Sequence, residues 1–264
     1  MSDGALRRFP GSDRLLVDPS SGRRAAHAHV LAGASDWRRG VANRLGALVV
    51  AAAGPGRLPG APSVVDWLER TPADVVDEMA DELPGLRLIG VALPRQSGRR
   101  RLSLLCRQAG TDVIVKLGVD TPGASLETEA DCLRMLGRSP LPGIATPDLL
   151  AAGTVGVDTD GEPVGFVATS AVAISGQRPA IDAPLAMFER DLAVRLADLP
   201  RPADTDDAAV PTHGDLTPWN LRRTARGLAL FDWESAGWRA PGSDLATYRN
   251  ACDEVRPWWR RRGA

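Results

Sequence analysis

Three short apolar runs, parted by polar turns, restrict what this chain can fold into. Leu86 to Leu93 alternates, while Leu102 to Cys106 and Val113 to Leu117 are compact apolar stretches. A polar turn, residues 94–101, separates the first two. Ala109-Gly110-Thr111 separates the second from the third. Three antiparallel strands are the economical reading. A helix follows over Leu126 to Leu136, with Leu126, Ala130, Leu133 and Leu136 on one face. Residues 163–174 read as one bent strand or two short ones. The expected fold class is therefore α+β, with an antiparallel unit closing near Ser175-Gly176. Beyond it the chain turns more helical, with a long helix over Ala183 to Leu199 and a Pro/Asp-rich linker at 201–209.

The stretch before residue 86 carries a short strand near Arg14 to Val17 and a helix over Trp37 to Ala53. Thr71-Pro72-Ala73-Asp74 starts another helix, with Thr as cap and Pro in the first turn. Composition narrows the class. In 264 residues, 44% are apolar and 25% charged, which supplies a core and makes disorder or a disulfide scaffold a poor reading. A net charge of −1 gives no global basic field, so neither nucleic acid nor a membrane surface is expected as a partner. The longest apolar run, Leu45 to Ala53, is far too short to span a bilayer, and Met1 to Pro10 lacks an apolar leader. Three scattered cysteines fit a reduced, cytoplasmic protein, and with only three histidines they offer no zinc site. One count stands out. Of the 32 basic residues 31 are Arg, and the single Lys is Lys116. A chain that writes Arg wherever a cation will do spares Lys where a guanidinium cannot replace an ammonium.

The chemistry concentrates in His213-Gly214-Asp215-Leu216-Thr217-Pro218-Trp219-Asn220 and in Phe231-Asp232-Trp233-Glu234. Phosphoryl transfer needs an Asp to orient the attacking hydroxyl, an Asn in the same tight loop to ligate magnesium, and a second Asp to bridge metal and phosphates. Asp215, Asn220 and Asp232 have those spacings. Residues 221–230 read as a hairpin around Ala225-Arg226-Gly227, which would bring Asn220 and Asp232 together. Taken alone, Asp215 would serve equally well as a turn cap; the register with Asn220 and Asp232 decides against that.

These motifs resemble the aminoglycoside phosphotransferase and choline kinase-like family of small-molecule kinases. The resemblance implies a bilobal protein-kinase-like fold, with an N-lobe of antiparallel sheet plus helix and a mostly helical C-lobe. It divides the chain into an N-terminal extension (1–85), a nucleotide-binding N-lobe (86–175) and a shortened catalytic C-lobe (176–264). It implies ATP or GTP as donor, Mg2+ as cofactor, and a small hydroxylated molecule as acceptor. Asp215 is then the catalytic residue, with Asn220 and Asp232 on the metal. Lys116 would hold the α- and β-phosphates and would itself be held by a glutamate on the next helix. Glu127 and Glu129 point about 160° apart on a helix, so only one can serve; the family's Glu-Ala-x-x-Leu-x-x-Leu pattern favours Glu129. Ser97 and Gly98 lie in the turn that would cover the nucleotide, a turn with only one glycine. Thr169, Ser170 and Val172 take the hinge position beside the base. Pro241-Gly242-Ser243-Asp244 resembles the family's bracing segment.

Two departures bear on the acceptor. Residues 233–264 hold six Arg against four acids, which argues against a polycation and leaves a neutral or anionic sugar or metabolite open. Only about 30 residues follow Asp232, so the extension, or a second subunit in a homodimer, is expected to complete the acceptor pocket. The alternative function is a nucleotide-binding pseudokinase or scaffold. A protein kinase fits poorly, because the Asp-Phe-Gly and Ala-Pro-Glu pair is missing.

Overall fold

A computed structural model describes residues 5–32, 37–61, 65–94, 98–172, 178–181, 183–185 and 187–260. The chain opens with β1 (Arg7–Arg8), β2 (Leu15–Val17), a 3-10 segment (Pro19–Ala32), α1 (Trp37–Ala53) and α2 (Pro72–Glu78). Next come β3 (Arg87–Ala92), β4 (Arg101–Gln108), β5 (Thr111–Gly118), α3 (Leu126–Arg138), β6 (Ile144–Ala145), β7 (Leu149–Val157) and β8 (Pro163–Ser170). The last part holds β9 (Arg178–Pro179), α4 (Phe188–Arg195), β10 (Val210–Thr212), β11 (Leu221–Thr224), β12 (Gly227–Leu230), β13 (Gly237–Arg239) and α5 (Ser243–Arg260). Two compact units result: Met1–Asp120 with Leu150–Ala171, and Thr121–Leu149 with Val172–Ala264. The α+β class read from the sequence holds.

The first unit is built on a seven-stranded sheet in the order β1-β2-β3-β4-β5-β8-β7. The pairs from β1 through β8 are antiparallel. Residues before 86 take part in it directly, since Leu15 to Val17 pair with Ala92 to Gly90. Two cores flank this sheet. On one face Leu104, Val115 and Ala168 lie side by side across β4, β5 and β8, in one core with Val75 and Val76 of α2 and Met79 just after it. The other core gathers Phe9, Leu15, Val17, Ala28 and Val50 beneath the 3-10 segment and α1. Strand alternation in β2 divides the two, with Leu16 in the first core and its neighbours in the second. The α2 start carries a full capping box, in which Thr71 and Asp74 each accept the other's backbone N–H.

The second unit holds α3, α4 and α5 with a four-stranded sheet, β6-β12-β11-β9, and a two-stranded one, β10-β13. The hairpin expected over 221–230 is β11–β12, with Leu221 opposite Leu230. The helix expected over Ala183 to Leu199 is shorter, Phe188–Arg195. Ahead of it the Ala183 N–H donates to the Tyr248 hydroxyl at 2.7 Å, and behind it the chain tightens into a turn, the Leu199 N–H donating to the Leu196 carbonyl oxygen at 3.0 Å. All three cysteines are buried free thiols. Burial, aided by Asp131 and Glu129, pushes Cys132 up to about 12, and burial raises Cys106 as well, so neither is a reactive thiolate. Among the described residues no helix is long and apolar enough to cross a membrane.

Gly90 marks where the 3-10 segment meets the sheet. A Cβ there would lie 2.7 Å from the Ala28 Cβ and 2.9 Å from the Leu16 carbonyl oxygen. Gly90→Ala is expected to cost about 1–3 kcal/mol, the usual penalty of overpacking. Urea unfolding measures it, and an unchanged midpoint would contradict this packing.

Candidate active site

Strand β10 pairs with β13, Thr212 opposite Gly237, and delivers the chain into the loop that begins at His213. The loop is clamped by Asp244 in the first turn of α5. Its carboxylate accepts the N–H of His213 at 2.6 Å and that of Gly214 at 2.9 Å. Burial raises the Asp244 carboxyl above its ordinary value, and the two N–H groups pull against that shift. The clamp is itself held: Glu189 of α4 accepts from Gly242 N–H and Leu245 N–H, at 3.0 and 3.1 Å, at the start of α5. Only glycine fits at 214. Its φ is +79°, and a Cβ would sit 1.9 Å from the Ser235 carbonyl oxygen.

His213 is fully buried and joins two stretches of chain. One ring nitrogen, Nε2, lies 2.9 Å from the Phe231 carbonyl oxygen. The other, Nδ1, accepts the Asp215 N–H at 3.3 Å. Both bonds are satisfied by one tautomer, the neutral ring carrying its proton on Nε2. Trp233 packs against the imidazole with ring centroids 4.6 Å apart. The loop carrying Asp215 and the strand end carrying Asp232 are thus joined through one imidazole.

Asn220 adds a second joint. Its side-chain amide donates to Asp215 Oδ2 at 2.8 Å and to the Asp215 carbonyl oxygen at 3.0 Å. Its own carbonyl accepts the Phe231 N–H at 3.0 Å, where the hairpin closes. Asp232 follows in a left-handed conformation, φ 68° and ψ 64°. Such backbone is uncommon outside glycine and is held by its surroundings. Carboxylate oxygens of Glu129, Asp232 and Glu234 lie within 4.8 Å of one another. The N-terminus of α3 docks on this turn, with the Ser125 N–H donating to the Glu234 carbonyl oxygen at 2.8 Å. Three convergent carboxylates repel unless a cation sits among or beside them, and hard oxygen donors suit magnesium.

The model of the phosphotransferase enzyme family (APH) matches residues 32–264. The chain belongs to that family. Comparison with curated proteins finds no match. Among solved structures, this phosphotransferase is similar to an aminoglycoside-3'-phosphotransferase of type VIII, at 21% identity and a TM-score of 0.47, covering 72% of this chain and 92% of that one. It is also similar to spectinomycin phosphotransferase in complex with ADP and spectinomycin, at 9% identity, TM-score 0.44, with 72% and 79% covered. A choline/ethanolamine kinase family protein from Mesorhizobium loti matches at 16% identity, TM-score 0.35, with 70% and 76% covered.

Within the phosphotransferase, Asp215, Asn220, Asp232 and Glu129 lie in the second unit. Glu129 is buried at 4% exposure while Glu127 is exposed, so Glu129 is the acid that faces inward from α3. Lys116 lies on β5 in the first unit, opposite Ser103 and Val167, on the face away from Val115 and Leu117. Thr169 is on β8 facing Ile114, whose carbonyl oxygen accepts from the Thr169 hydroxyl at 3.4 Å. Ser170 ends that strand. Val172 follows Ala171, whose N–H donates to the Asp112 carbonyl oxygen at 3.1 Å. Gly98 is exposed with φ +83°, and Ser97 lies outside the described residues. Sequence reasoning did not single out Glu234 as a site residue, although it sits two positions after Asp232. Glu189 carried no signal at all, because its partners are 53 and 56 residues away.

Burial and then the nearby Asp232 raise the Asp215 carboxyl above its ordinary value, against the Asn220 hydrogen bond. The folded state therefore keeps this proton to higher pH than the unfolded chain does. Native protein binds more protons in that window, so stability falls as pH rises through it. Asp215→Asn removes the ionising group and keeps an oxygen for Asn220. In metal-free buffer the variant is expected to unfold at higher temperature than wild type at pH 7, with the difference gone below about pH 4. A lower melting temperature at pH 7 would contradict this electrostatic account.

Proposed function

We propose that this phosphotransferase moves the γ-phosphoryl group of ATP to a hydroxyl of a small molecule, with Mg2+. The observation that carries the reading is the Asp215 carboxylate, fixed by Asn220 at 2.8 Å and held at a raised pKa by burial and by Asp232. In this reading Asp215 orients the acceptor hydroxyl and takes up its proton as the oxygen attacks phosphorus. A carboxyl with a raised pKa is a better proton acceptor than an ordinary exposed one. Asn220 and Asp232 hold the metal, and Glu234 lends a further oxygen. Magnesium, when bound, neutralises charge on the phosphate oxygens. Lys116 binds the α- and β-phosphates, with Glu129 as its partner. The turn containing Ser97 and Gly98 covers the phosphates, and the backbone around Thr169, Ser170 and Val172 receives the adenine. Adenine nucleotide is favoured over guanine because ADP is the nucleotide named in the spectinomycin phosphotransferase complex. The Arg-rich stretch after Asp232 favours a neutral or anionic acceptor, such as a sugar or related metabolite. The buried, unpaired cysteines suit the cytoplasm.

The test is consumption of ATP with Mg2+ against a panel of sugars, sugar phosphates, amino alcohols and antibiotics, read by the mass gain of the product. Asp215→Ala is expected to lower transfer by about 10²–10⁴-fold, the usual range for a positioned acid–base group, while Mg-nucleotide still binds. Full activity in that variant would overturn the role. Glu234→Gln is expected to weaken magnesium activation by about 10–100-fold, as loss of a supporting metal-site group does. A magnesium titration that overlays wild type would remove Glu234 from the metal site.

A further inference from the structure

Three segments leave the large sheet of the first unit at one end. Arg101 of β4 stands opposite Gly118 of β5, and Gly118 stands opposite Gly165 of β8. The stretch from Gly98 to Arg100, the end of β5 and the turn joining β7 to β8 therefore share that end, two residues along β5 from Lys116. Exposure falls along the first of these, from exposed Gly98 through half-buried Arg100 to buried Arg101.

Arg100 is held at both its backbone and its side chain. Its carbonyl oxygen accepts the Val119 N–H at 3.1 Å, and a Cβ on Gly118 would collide with that same oxygen. Its guanidinium Nη1 donates to Asp158 Oδ2 and, at 2.7 Å, to Asp160 Oδ2. Both acids belong to the β7–β8 turn. The Asp158 side chain has no exposed surface, and its Oδ1 accepts the Asp160 and Glu162 N–H groups, each at 2.9 Å. The turn is anchored in its own right to residues ahead of α2. Thr159 N–H donates to the Trp67 carbonyl oxygen at 3.0 Å, and Arg70 donates to the Val155 carbonyl oxygen at 3.0 Å. A buried carboxylate is costly without a cation, so the fixed Asp158 decides where the Arg100 guanidinium goes.

We infer, on the nucleotide reading proposed above, that Arg100 is a positioning residue for the nucleotide phosphates, tying the backbone beside Gly98 to the β7–β8 turn through Asp158 and Asp160. Its guanidinium is engaged by those two acids, so it acts through the backbone joining it to Gly98 and not as a phosphate ligand. A stretch of chain that must meet phosphate binds more tightly when it is held in place beforehand, because less ordering is then left to be done on binding.

Calorimetric titration of the full chain with Mg-AMP-PNP and, separately, with adenosine tests this. Arg100→Gln is expected to weaken Mg-AMP-PNP by about 3–30-fold, the range for a group acting through its neighbours, and to leave adenosine, which has no phosphates, unchanged. Arg100→Lys keeps the charge and should recover most of the loss. Should Arg100→Gln not fold, Asp160→Asn carries the test. It removes only the exposed acid of the pair and is expected to weaken Mg-AMP-PNP about two- to fivefold. Unchanged Mg-AMP-PNP affinity in the variant tested would overturn the role of Arg100. So would an equal loss for adenosine, the mark of a merely structural residue. A wild-type chain that binds no Mg-AMP-PNP would overturn the nucleotide reading itself, and this role with it.

Discussion

One buried imidazole joins two stretches of the second unit. His213 lies 2.9 Å from the Phe231 carbonyl oxygen and accepts from Asp215 N–H, so two stretches 18 residues apart share one ring. The ring itself is fully buried, so water competes for neither bond from the histidine side. Everything at the site hangs on that junction. Asp244 fixes the backbone on one side of it, Asn220 closes the hairpin on the other, and Trp233 fills the space against the ring. Removing the imidazole would take this partner from the part-buried Phe231 carbonyl and Asp215 N–H and leave a void against Trp233.

The electrostatics follow from that rigidity. Asn220 holds the Asp215 carboxylate near Asp232, and Glu234 sits in the turn that follows, where its carbonyl oxygen accepts the Ser125 N–H ahead of α3. The fold thereby concentrates negative charge that side chains on flexible loops would disperse. Carboxylate oxygens gathered in this way are hard donors that suit a divalent cation.

Local signals made part of this legible in advance. The helix Trp37–Ala53, the Thr71 cap and the strands around Leu88, Leu104 and Val115 are each written within a few neighbouring residues. The β11–β12 hairpin was legible for the same reason, and it explains why Asn220 and Asp232 could be paired from their spacing. What escaped was non-local. Strand β6 is two residues long and exists because Ile144 and Ala145 lie parallel to Leu228 and Ala229, a partnership no periodicity announces. Helix α4 is shorter than its apolar pattern suggests, and the Ala183 N–H ahead of it goes to a tyrosine 65 residues later. Glu129 was preferred over Glu127 by a sequence pattern, and burial then separated the two; that it converges with Glu234 could not be read from either position.

The order of strands in the large sheet has a consequence for how the chain is made. Strand β8 sits beside β5 in space, yet α3 and β6 are synthesised between them and belong to the other unit. A nascent chain therefore carries an unprotected β5 edge until about residue 170 leaves the ribosome, while the start of the second unit waits for α5 at the far end of the chain. Neither unit can finish folding before the other has begun, so assembly is interleaved, and a pause in translation between residues 120 and 163 would hold open the edge most prone to pairing with another chain.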